Sequence, residues 1–89
     1  MSFPKIVRQT PVKHGNEWAL VVSTVQVGFR AYSTTVFDDT PDRRLEGWKI
    51  GDRTIETTVE QANTREEAMD QHREALYSAR TETPRAPQS

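Results

Sequence analysis

Between Glu17 and Val27 the chain reads EWALVVSTVQV, and large apolar side chains fall on both parities. In an extended strand Trp18, Leu20 and Val22 project to one side, and Ala19, Val21, Val25 and Val27 to the other. A strand that is apolar on both faces belongs at the centre of a sheet covered on both sides. The segment before it, residues 4–13, alternates less cleanly and contains Pro4 and Pro11. Proline cannot donate a ladder hydrogen bond, so this segment predicts an edge strand. His14-Gly15-Asn16 supplies a tight reversal between the two. After Gly28 a third strand is expected over 29–37, with Phe29, Ala31 and Phe37 on one parity and Tyr32 and Val36 on the other.

Residues 38–47, DDTPDRRLEG, read as a loop closed by glycine. Beyond it, WKI-GD-RTIETTVEQ admits two readings. Gly51-Asp52 is either a two-residue hairpin turn joining strands 47–50 and 53–61, the preferred reading, or a bulge within one long strand. Thr54, Ile55, Thr57, Thr58 and Val59 are β-branched and favour extended backbone.

The period then changes. Thr64 and Glu67 fit the first and fourth positions of a capping box, and Glu66 and Glu67 suit the positive end of a helix dipole. A helix is predicted over 65–79. Met69, His72, Leu76 and Ala79 form its apolar stripe, with Ala68 and Ala75 beside it. The tail, residues 81–89, has two prolines and no large apolar residue, and is expected to be disordered outside a single domain spanning 1–80.

His72 raises the question of chemistry, since it stands among Glu66, Glu67, Asp70 and Glu74. Residues at spacings of three and four from it are Met69, Ala68, Ala75 and Leu76, so its own face carries no carboxylate. The two-ligand helix patterns H-E-x-x-H and E-x-x-H are both missing. The expectation is a histidine packed on the sheet rather than a metal ligand or a base. Asp38, Asp39 and Asp42 cluster in one loop, but the D-x-D-x-D-G spacing of a calcium loop is absent, and Arg43 and Arg44 lie beside them. Arg8, Lys13, Arg30 and Tyr32 are the basic and aromatic set that single-strand binding would use. No nucleotide-binding or nucleophile motif accompanies them.

Composition narrows the classes further. Eighty-nine residues make one domain, and a net charge of -1 gives no basic field for nucleic acid or anionic lipid. Without cysteine there is no disulfide framework and no thiolate zinc site. No apolar run approaches the length of a signal peptide core or a membrane span, so the expected location is the cytoplasm.

Several blocks resemble a group of small uncharacterised proteins of actinobacteria and their bacteriophages. In that group S-T-V-x-L-G leads to E-T-M-V-F, then to R-Y-S-T and to a helix with E-A-x-x-G-H. Ser23-Thr24-Val25-Gln26-Val27-Gly28 is similar to the first block, with Val27 in the leucine position. Ser33-Thr34-Thr35-Val36-Phe37 is similar to the second, with Ser33 for Glu and Thr35 for Met. Gln61-Ala62-Asn63-Thr64 keeps the threonine of the third, while Glu67-Ala68 and Gln71-His72 match the last, with Gln71 for Gly. The resemblance spans about Val22 to Leu76. It implies an actinobacterial or phage source and a shared fold rather than an activity, and it raises the idea of a small accessory protein that binds a host protein in the host cytoplasm.

Together these readings predict an α+β domain: an antiparallel meander of four to five strands with one C-terminal helix packed on one face. One helix covers one face, so the other needs a partner, and a homodimer is the simplest. The expected function is a non-enzymatic protein–protein interaction module without cofactor or metal. Trp18, Leu20, Val21, Phe29, Tyr32 and Trp48 are the candidate interaction residues. The alternative is a small-ligand or nucleic-acid binder.

Overall fold

In the computed structural model, residues 3–40, 45–51, 53–55 and 58–86 are described, with backbone alone for 58–60. Strands β1 (Lys5–His14), β2 (Trp18–Gly28) and β3 (Ala31–Asp38) form the expected meander. Strands β4 (Lys49–Ile50) and β5 (Arg53–Thr54) follow, then β6 (Thr58–Ala62) and helix α1 (Arg65–Thr81). The main sheet is antiparallel throughout, in the order β1-β2-β3-β6. Proline-bearing β1 is an edge strand, as its missing donors require.

Gly15 takes a φ of 59° in the β1–β2 turn, a left-handed conformation that costs glycine nothing. Gly51 does the same between β4 and β5, at a φ of 61°. The antiparallel pairing of Lys49 with Thr54 and of Ile50 with Arg53 makes this a hairpin rather than one bulged strand, while Asp52 itself lies outside the described residues. The single strand expected over 53–61 is corrected, however. Ile55 buries its side chain in the core and donates its N–H to the Trp48 carbonyl at 2.8 Å, which pulls the chain off the main sheet. Residues 58–62 rejoin it beside β3.

The helix begins where the capping box placed it. Thr64 has an extended φ of −130°, and its hydroxyl accepts from the Glu67 N–H at 3.1 Å, while Glu67 Oε2 accepts from the Asn63 N–H at 3.5 Å. At the other end the helix runs to Thr81, two residues past the expected 79. Residues 82–86 fall within the tail expected to be disordered, and they carry contacts. Glu82 N–H donates to Ser78 O, Pro84 is buried, and Lys49 and Arg85 exchange backbone hydrogen bonds of 2.9 and 2.8 Å. The tail lacks large apolar residues, but the free edge of β4 offers backbone donors and acceptors that need partners. Residues 87–89 lie outside the described residues.

The core lies between the sheet and α1. Val12, Leu20 and Val22 of β1 and β2 pack with Leu45, Ile50 and Ile55, and with Ala75 and Ala79 of the helix. A smaller cluster joins Tyr32, Ala62 and Ala68, with Val7 against it. The buried line of the helix is Ala68, His72, Ala75 and Ala79, while Met69 and Leu76 flank it half-buried. Alanines at these positions leave little side chain between helix backbone and sheet, so α1 can lie close against the strands.

Candidate interaction surface

His72 is 1% exposed and turned into the sheet. Its Nδ1 lies 2.8 Å from the Thr24 hydroxyl and its Nε2 lies 3.0 Å from that of Thr10, while Thr24 and Thr34 share a further hydrogen bond of 2.8 Å. One helix side chain therefore ties β1, β2 and β3 together. Burial lowers its pKa below the ordinary 6.5, and the nearby positive charge of Arg8 lowers it further, so the ring is neutral at pH 7. A neutral ring donates from one nitrogen and accepts at the other, and rotating hydroxyls match either tautomer. Glu66, Glu67, Asp70 and Glu74 are all exposed.

Asp38 organises its loop. Its two carboxylate oxygens accept from the N–H groups of Thr40 at 2.9 Å and Leu45 at 2.8 Å, a seven-residue reach that seats Leu45 in the core. Thr40 in turn donates its hydroxyl to the Ala19 carbonyl at 3.1 Å. Asp42, Arg43 and Arg44 lie outside the described residues. Among the described residues no group of three or more His, Asp or Glu side chains is arranged to hold a metal ion. The enclosed space between Val36, Ile50, Ile55 and Ala75 amounts to about 10 Å³, room for one water at most.

The basic and aromatic residues do not share a face. Tyr32 is buried in the small cluster against Ala62 and Ala68. Arg8 pairs with Thr24 on the helix side, Lys13 with Ala19 on the opposite side, and Arg30 sits in the β2–β3 turn.

The candidate interaction residues are likewise divided. Leu20 is 1% exposed inside the core, Tyr32 is buried, and Trp18 and Trp48 pack against each other with ring centroids 4.7 Å apart on the helix side. Leu20 and Tyr32 belong to the monomer core and are corrected as surface residues, while Trp18 and Trp48 are half-buried at its margin. The sequence could not place Leu20 because both parities of β2 are apolar. Val21 stands half-buried on the face opposite α1, and Phe29 is exposed in the β2–β3 turn against Phe3, with centroids 5.6 Å apart.

The strand register lays out that open face in rows. Pro11, Val21 and Phe37 stand side by side across β1, β2 and β3. The next row is Gln9, Ser23 and Thr35, and the row beyond is Ile6, Val25 and Ser33. Phe37 is 44% exposed and Ile6 63%. Val25 was legible as sharing the face of Val21 by parity, whereas Phe37 joins them only through the β2–β3 register and Ile6 only through the β-bulge between Ile6 and Arg8. Bands of apolar side chains thus flank a shallow polar row, on a face that α1 does not cover.

Among the described residues no helix is long and apolar enough to cross a membrane. No family model matches the chain, and neither a curated protein nor a solved structure is significantly similar to it.

Proposed function

We propose that the chain is a small non-enzymatic interaction module that presents the open face of its sheet to a protein partner. In keeping with the phage-type sequence blocks, it works as an accessory protein in the cytoplasm of a host cell. The observation that carries this reading is the exposure of Ile6 and Phe37, with half-buried Val21 and Val25, on one side of the sheet while a single helix covers the other. Burying a large apolar side chain is worth about 1.5–3 kcal/mol, so a domain of this size gains much by covering that face. His72, the side chain with the most chemical potential, is already held by strand threonines.

Affinity capture with three forms of the chain tests this. Wild type and Tyr77→Lys, altered on the exposed outer side of α1, should retain the same protein, and Phe37→Lys should lose it. Equal capture by all three would place the binding surface elsewhere. Co-purified nucleic acid, visible as a raised 260 nm absorbance, would favour the ligand-binding alternative instead.

A further inference from the structure

We infer that one occupant of the open face is a second copy of this chain, seated across a two-fold axis that runs along the Gln9–Ser23–Thr35 row. This inference rests on the reading of the open face as the binding surface and specifies what covers it. An axis in the plane of the contact and perpendicular to the strands stacks each strand antiparallel on its own counterpart. Residues two positions to either side of the axis row then meet. Phe37 of one copy falls on Ser33 of the other, Val21 on Val25, and Pro11 on Ile6.

The side chains suit that arrangement. Phe37 is the large side chain that protrudes, and Ser33 is a small one, so each ring has a hollow opposite it. Ser23 and Thr35 on the axis are small and already buried, which lets the sheets approach there. A two-fold contact makes each such pairing twice, so a ring and a hollow on one face are self-complementary. Charge follows the same sense. The two central strands are acidic at one end, where exposed Glu17 precedes β2 and exposed Asp39 follows β3. They are basic at the other, where exposed Arg30 lies in the β2–β3 turn. The rotation lays one end over the other. Lys5 and Lys13 stand on the outer strand, away from the centre.

The area is sufficient. At about 3.3 Å per residue and about 4.8 Å between strands, the three long strands offer a face of about 500 Å² per copy. Two such faces bury about 1,000 Å² in total, the lower bound of a specific interface, which points to a micromolar rather than a nanomolar dimer. Sheets stacked this way cross at about 30° and lie about 10 Å apart, the spacing at which inner side chains interdigitate.

Sedimentation equilibrium of the full chain, with circular dichroism and melting curves on every variant, tests the geometry. Wild type should approach twice the 10.2 kDa chain mass at micromolar concentration. Phe37→Ser should raise the dissociation constant by about tenfold or more while the monomer stays folded. Adding Ser33→Phe to it should restore the dimer, because ring and hollow exchange places across the axis. If the double variant fails to fold, Val21→Glu serves in its stead and should yield a folded monomer. A wild type that stays monomeric up to about 100 µM overturns self-association, since a face of this area should then be occupied. A dimer indifferent to Phe37→Ser or Val21→Glu overturns the surface, and a folded Phe37→Ser/Ser33→Phe that remains monomeric overturns the axis. A monomeric wild type leaves the capture comparison above unaffected, so the two readings fail separately.

Discussion

His72 Nδ1 and the Thr24 hydroxyl meet at 2.8 Å in the interior, joining the middle of α1 to the middle of β2. With Thr10 on the other ring nitrogen and Thr34 behind Thr24, the contact spans three strands. His72→Leu should keep the fold but leave the Thr10 hydroxyl without its partner, at a cost of about 1–3 kcal/mol. His72→Asp should cost more, because a charge would be buried. Urea denaturation of both variants at pH 7 checks the order.

The same contact predicts a pH dependence. The folded pKa of His72 lies below 6.5, first through burial and then through Arg8, while the unfolded chain titrates near 6.5. Above pH 6.5 both states hold a neutral ring and its contribution is complete. As the pH falls through the lowered folded value the unfolded state binds the proton first, and that stability is lost. Unfolding free energy followed from pH 8 downward should decline below about 6.5 in wild type, and His72→Leu should lack that part of the decline.

Leu20 and Val21 are chain neighbours with opposite fates. Leu20→Ala should cost about 2–5 kcal/mol, because the side chain is lost from a packed core. Val21→Glu should leave the melting temperature of the monomer nearly unchanged and act on association alone. If the two changes destabilise the monomer equally, the assignment of faces is wrong.

Thr64→Ala removes the cap whose hydroxyl accepts from Glu67 N–H. It should cost about 1 kcal/mol, which in a domain of this length lowers the melting temperature by about 4–8 °C. Thr64→Ser should restore most of it, and thermal melts of the three forms decide.

Truncation after Arg80 removes Thr81, whose hydroxyl donates to the Tyr77 carbonyl, together with buried Pro84 and both hydrogen bonds to Lys49. A loss of about 2 kcal/mol is expected from two backbone bonds at about 1 kcal/mol each. Truncation after Ala86 leaves those contacts in place and should match wild type in denaturant midpoint.

Local chemistry made much of this protein legible from its sequence. Capping depends on residues three apart, so Thr64 and Glu67 located the helix start without any tertiary information. Gly15 and Gly51 marked hairpin turns because few other residues take a positive φ. Pro11 placed β1 at an edge, and the spacing around His72 put it on a face without carboxylates. The tertiary structure decided what alternation leaves open. Both parities of β2 are apolar, so only the packing of Ala75 and Ala79 against Leu20 and Val22, with His72 bonded to the strand threonines, selected Leu20 for the core and Val21 for the open face. Ile55 left the main sheet with its side chain in the core and its N–H on the Trp48 carbonyl, a competition between distant surfaces that no window of sequence contains. Arg85 joined β4 for the same reason: a strand edge captures whatever backbone the fold brings to it.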